Sequence, residues 1–160
     1  MRPQEEIVKK VQESDSLLGF ELEVLIQHLD YEHAKPFLNK EFVAKPDAEE
    51  RWAKEAKEHT DEVVKQEMAQ YMAEFGWPKA EGHRGISANR TIEKMFAWLW
   101  LLGDEETTRT LENAPYENYG CPMLAIICKR YNLPIPDSVE VQNMINSRPC
   151  CDSCPSCGKE

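Results

Sequence analysis

From Ile92 to Leu102 the chain offers a helix almost no polar side. Ile92, Met95, Phe96, Trp98, Leu99, Trp100, Leu101 and Leu102 cover its whole circumference over about three turns. A helix that is apolar nearly all round is stable only with neighbours on every side. The segment therefore predicts a central helix that the rest of the chain must wrap. Its longest apolar run, Met95 to Leu102, falls far short of the roughly 20 residues that cross a bilayer.

The covering elements also read as helices. Pro3 suits a first turn, and Ile7 and Val11 repeat at four residues, giving a short helix to about Glu13. Ser14 or Asp15 is placed to cap a second, striped by Leu18, Leu22, Leu25 and Leu29. Asp30 precedes a turn of helix that Pro36 ends. Pro46-Asp47 opens the longest periodic stretch, with Trp52, Ala56, His59, Val63, Val64, Met68, Tyr71, Met72 and Phe75 on one face and Gly76 as its stop. Nearly thirty residues would extend about 45 Å as one helix, more than a compact domain needs, which favours a break near Thr60-Asp61. Ser87 caps the central helix and Gly103 ends it. Asp104 caps a successor to about Asn113, and Pro122 starts another with Leu124, Ile127, Cys128 and Tyr131 inward. Asp137 caps a last helix to about Ser147, with Val141, Met144 and Ile145 inward. Neither an alternating strand nor an internal repeat occurs. The expected fold is all-α: a single-domain irregular or orthogonal bundle of about seven helices over residues 1–148, with a cysteine-rich tail over 149–160.

Net charge is −10, and residues 1–75 carry about −8 of it. A binder of duplex nucleic acid needs a basic face, so that partner class is disfavoured. An acidic surface suits a basic protein partner, or solubility alone. Met1-Arg-Pro-Gln-Glu-Glu is acidic where a signal peptide would turn apolar, so the expected location is the cytoplasm, with no membrane partner. Cysteines in a reducing compartment are metal-binding or catalytic more often than bridged.

Four of the six cysteines, Cys150, Cys151, Cys154 and Cys157, crowd the last eleven residues. Cys154-Pro-Ser-Cys157-Gly is a knuckle that turns two sulfurs toward one ion, and the cluster supplies enough thiolate for a tetrahedral zinc. Adjacent Cys150 and Cys151 seldom share an ion, so Cys121, a histidine or a second copy is an alternative fourth ligand. The spacing Cys150-x3-Cys154-x2-Cys157 also suits three corners of an iron–sulfur cluster. A second knuckle, which a zinc ribbon requires, is absent from the sequence, and a disordered or disulfide-prone tail stays open as a reading.

A second candidate is the loop Glu81-Gly-His-Arg-Gly-Ile-Ser-Ala-Asn-Arg90. Its glycines free the backbone, and a helix start at Ser87 with His83, Arg84 and Arg90 nearby favours an anion or an acidic partner group. The plainer reading is a capped loop whose arginines pair with the acidic long helix. The Lys-Ser/Thr of a phosphate loop is missing. His28, Asp30, Glu32 and His33 gather between two short helices. A di-iron bundle needs two Glu-x-x-His motifs, and only Asp30-x-x-His33 occurs. The group reads as polar residues at a helix junction. Cys121 precedes Pro122 at a helix start without a neighbouring base, Cys128 reads as core, and Trp98 and Trp100 point to different sides of their helix.

Arg84-Gly-Ile-Ser-Ala-Asn-Arg90, then Ala97-Trp-Leu-Trp-Leu-Leu-Gly-Asp-Glu105 and Tyr116-Glu-Asn-Tyr119-Gly120, resemble small uncharacterised proteins of tailed bacteriophages and prophages. Leu29-Asp-Tyr-Glu-His-Ala-Lys-Pro-Phe37 fits the same group. The likeness spans roughly residues 28 to 135 and stops before the cysteine tail. It implies a phage-encoded accessory protein in the host cytoplasm and supplies no assigned site residues. The functional expectation is a non-enzyme that binds a host or phage protein through its acidic helical surface, as an inhibitor of a nucleic-acid-handling machine. The alternative is a small zinc- or thiol-dependent protein that works through its tail.

Overall fold

Caps and breakers divide the chain into nine α-helices and a 3-10 turn among the described residues, with no strand. The computed structural model describes residues 1–14, 19–56, 58–75, 86–113 and 121–135, with positions 137, 139 and 142. The helices are α1 (Gln4–Glu13), α2 (Phe20–Gln27), α3 (Tyr31–Ala34), α4 (Lys40–Ala44), α5 (Ala48–Glu55), α6 (Asp61–Phe75), α7 (Ile86–Leu102), α8 (Glu105–Glu112) and α9 (Cys121–Tyr131). The 3-10 turn Lys35–Phe37 follows α3. The all-α fold is as the periodicity predicts. The larger helix number has two causes. Asn39 caps the short α4 by accepting the Phe42 N–H at 2.7 Å. The long stretch from Pro46 to Phe75 is two helices, because α5 closes at Ala56 and Thr60 Oγ1 accepts the Val63 N–H at 3.2 Å to restart the chain as α6.

The second helix starts later than its leucine stripe suggests. Gly19, not Ser14 or Asp15, stands at the N-cap of α2. Ser14 instead closes α1, donating its N–H to the Val11 carbonyl and its hydroxyl to the Lys10 carbonyl. Asp15 and Leu18 lie outside the described residues, as do most of the last expected helix and its Val141, Met144 and Ile145.

α7 holds the centre, packing against α2, α6 and α8. None of residues 92–102 is exposed. Met95, Leu99 and Leu101 are completely buried, and Trp98 meets Tyr71 of α6 edge-on at 5.6 Å between ring centroids. Lys94 is the exception that the apolar pattern accommodates. Its ammonium lies over the Tyr71 and Phe20 rings, 5.1 and 5.9 Å from their centroids, and reaches Glu23 at 3.8 Å. α1 lies on α2, α3 touches α1 and α5, and α4 packs on α5. One hydrophobic cluster runs from Ile7 of α1 to Cys128 of α9.

Two polar junctions fix the ends of these helices. Asp104 caps α8 through the Thr107 N–H and hydroxyl and also accepts from Arg130 and Tyr131 of α9, all within 2.9 Å. At the other junction Gln4 bridges α1 to the α2–α3 link, donating to the His28 carbonyl and accepting the Asp30 N–H. Trp52 Nε1 donates to the Leu29 carbonyl at 3.1 Å and ties α5 to the same link.

Candidate functional site

The link between α2 and α3 holds the most unusual chemistry among the described residues. His28 ends α2 as its C-cap, and its ring turns inward until only 2% of the residue is exposed. Its Nδ1 lies 2.8 Å from the Val24 carbonyl. A carbonyl only accepts, so Nδ1 carries the proton, and in the neutral ring Nε2 holds the lone pair. Nε2 is buried without a hydrogen bond. It stands 3.1 Å from Glu67 Oε2 of α6, at ion-pair distance but out of line for a hydrogen bond.

A second imidazole joins it. His59, in the link between α5 and α6, places its ring centroid 5.6 Å from that of His28. Its Nδ1 is likewise buried without a hydrogen bond. Burial and the neighbouring His28 ring depress the His59 pKa, although Asp30 and Glu67 oppose them. A cavity of about 210 Å³ opens beside the pair, lined by Gln27, His28, Trp52, Glu55, Ala56 and Glu67. Two carboxylates and an imidazole thus face one small polar cavity, walled by an indole whose own N–H is already engaged.

The structure divides the junction group that the sequence suggested. His28 and Glu67 form the buried pair. Asp30 turns outward and caps α3, accepting the His33 N–H at 2.9 Å and bonding His33 Nδ1 at 2.8 Å. Burial pushes the Asp30 pKa up, but these two bonds outweigh it and the carboxyl sits below its usual range. Glu32 is exposed. So Asp30 and His33 are a cap, as the plain reading holds, whereas His28 is not a surface residue.

Ser87 and Arg90 belong to α7, whose helical backbone begins at Ile86. Ser87 therefore lies in the first turn, one position inside the expected cap, a difference within the normal spread of helix boundaries. Arg84 and His83 lie outside the described residues, as do Cys150, Cys151, Cys154 and Cys157. Cys128 is buried and its thiol is pushed up to about 11 by burial, which leaves it unreactive. No three His, Cys, Asp or Glu side chains among the described residues already converge as a metal-holding group.

No family model, curated protein or solved structure matches this chain.

A larger cleft of about 770 Å³ runs along Asp61, Lys65, Asp104, Arg130 and Tyr131. On its wall Asp104 bonds Arg130 and Tyr131, Asp61 pairs with the Met1 ammonium, and Glu105 pairs with Arg2. Burial opposes the Asp104 charge, but bonds from Thr107, Tyr131 and Arg130 hold its carboxyl far below the usual range. Burial and the Asp104 bond raise the Tyr131 phenol well above its own. Such a network stabilises the junction between α8 and α9.

Sequence reasoning missed Glu67 entirely and gave His59 only a place on an apolar face. The available signal was a histidine standing in the Trp52–Ala56–Val63 stripe, where a polar ring must find a buried partner.

Proposed function

We propose that this chain is a non-enzymatic accessory protein of the tailed-phage type. It binds a host or phage protein, basic on its contact face, through the acidic surface of α1–α6. The distribution of charge in the fold supports this reading. Every described acidic residue from Glu5 to Glu74 is exposed except Glu21 and Glu67. The arginines of the same region are drawn inward. Arg2 stacks on Trp100 and bonds its carbonyl, and Arg51 stacks on Phe42 and pairs with Asp47. Glu21 lies close enough to Glu93 and Glu112 that its pKa is raised, first by burial and then by those charges, with Lys10 opposing. The surface is acidic because its carboxylates point outward while its guanidinium groups serve the fold.

Such a surface can occupy a site built for a phosphate backbone, which motivates a role as an inhibitor of nucleic-acid-handling machinery. Among the described residues no helix is long and apolar enough to cross a membrane. The test is affinity capture from host and phage extracts, followed by binding of the captured protein at rising salt. Binding should weaken steeply between about 0.05 and 0.5 M salt and fall when Glu49, Glu50 and Glu62 become glutamine. Salt-insensitive binding sinks the reading.

A further inference from the structure

We propose, resting on the acidic-face reading, that the cavity between His28, Trp52 and Glu55 receives one arginine side chain of the basic partner. Charge is the first observation. Gln27, His28, Trp52, Glu55, Ala56 and Glu67 line the cavity, so its described wall holds two carboxylates and no lysine or arginine. The larger cleft, by contrast, carries Lys65 and Arg130, and the cavity beside Trp98 carries Lys94. A pocket of one sign between low-dielectric walls draws the opposite charge.

The second observation is an imbalance of donors and acceptors. The ring N–H groups of the wall are spent on the backbone, His28 Nδ1 on the Val24 carbonyl at 2.8 Å and Trp52 Nε1 on the Leu29 carbonyl at 3.1 Å. With Nδ1 turned to Val24, the other nitrogen, Nε2, lies 3.1 Å from Glu67 Oε2, and His28 and Glu67 both line the cavity. That Nε2 is an acceptor in a residue only 2% exposed, and it is buried without a hydrogen bond. A buried acceptor without a donor is costly, and a ligand rich in N–H removes the cost. The Glu55 carboxylate and the Gln27 amide oxygen are further acceptors on the same wall. Whatever else Glu67 bonds, its charge adds to the field, and His28, Glu55 and Gln27 suffice as acceptors.

Arginine matches this wall better than lysine or a metal ion. Its guanidinium presents five N–H donors and no acceptor in one plane, whereas an ammonium is a compact point charge. No three His, Cys, Asp or Glu side chains among the described residues converge as a metal-holding group, so spread acceptors favour a broad cation. At about 210 Å³ the cavity is smaller than the roughly 300–1,000 Å³ of a drug-sized pocket, which fits one side chain. Trp52 and Ala56 offer apolar surface to the methylene stem, and the exposed Glu55 at the end of α5 sets the entrance on the acidic face. The chain seats its own guanidinium groups on rings in the same way, Arg2 over Trp100 and Arg51 over Phe42, each 4.4 Å from the centroid.

The test titrates the full chain with acetyl-Gly-Arg-Gly-amide and follows the His28 ring and Trp52 indole signals by ¹⁵N spectroscopy. Both should shift together and saturate below about 50 mM peptide. The citrulline peptide, equal in shape but neutral, should shift neither, and the lysine peptide should bind at least about threefold more weakly. Glu55→Gln, a change at an exposed position, should weaken arginine binding about three- to tenfold with unaltered circular dichroism. Should that variant fail to fold, the citrulline comparison still decides. The proposal is overturned by unmoved His28 and Trp52 signals, by an equal response to citrulline, or by an affinity that Glu55→Gln leaves unchanged. A lysine peptide that binds as tightly overturns the choice of arginine. The titration needs no partner, so its failure leaves the salt test of the acidic face standing, and failure of the salt test leaves the peptide result intact.

Discussion

Asp104 shows how one side chain can hold two helices together. It caps α8, anchors the Arg130 and Tyr131 end of α9, and is 9% exposed. Asp104→Asn keeps the shape but loses the charge that these donors share. It should cost about 2–3 kcal/mol in urea unfolding at pH 7. The pH dependence follows from the same bonds. The folded carboxyl titrates below its unfolded value of about 3.9, so its contribution is fully present above that pH and is lost as pH falls toward the folded pKa. Wild type should therefore lose more stability than Asp104→Asn between pH 6 and pH 3. Equal losses would show that the carboxylate is not the group that titrates. This cap was legible in the sequence because an aspartate after Gly103 and before Glu-Glu-Thr is a local signal. The His28–Glu67 contact was not, since its partners lie on different helices and no local pattern records which buried faces meet.

At the level of elements, turn chemistry was easier to read than helix number. Gly103 follows α7 with φ of +82°, the left-handed conformation that ends a helix. A methyl group there meets nothing within 4 Å, so Gly103→Ala should destabilise by about 1 kcal/mol through the backbone alone. Gly19 is equally open but has φ of −80°. Gly19→Ala should change stability by less than about 0.5 kcal/mol, because the entropy gained in the unfolded chain offsets the weaker cap. Thermal melts of the two variants check the contrast. The central helix was legible because its composition admits only one environment. Leu99→Ala within it should cost about 2–5 kcal/mol. By contrast, α4 is barely one turn and carries no periodicity to detect, so only its Asn39 cap could have announced it. The break between α5 and α6 was visible only as an implausible length.

For the whole molecule the dominant quantity is net charge. At −10, with its acidic groups turned outward, the folded state repels itself, and salt screens that repulsion. The melting temperature should therefore rise between about 0.05 and 0.5 M sodium chloride, over the same range in which partner binding should weaken. A melting temperature that falls over that range would place the charges in favourable pairs instead. The all-α class followed from periodicity alone, whereas the acidic face needed the fold, because only the fold shows arginines turned to internal work and glutamates turned to water.

The central position of α7 also sets an order in time. Ile7, Val11, Leu22, Leu25, Val64 and Met68 are buried in one cluster with a helix that is not made until residue 102, and Arg2 closes onto Leu101, Trp100 and Glu105. During synthesis, at roughly 5–20 residues per second, the first six helices leave the ribosome with their apolar faces uncovered for several seconds. A chain stopped at residue 85 should stay unfolded and associate with chaperones, whereas one released at residue 135 should acquire its helices together.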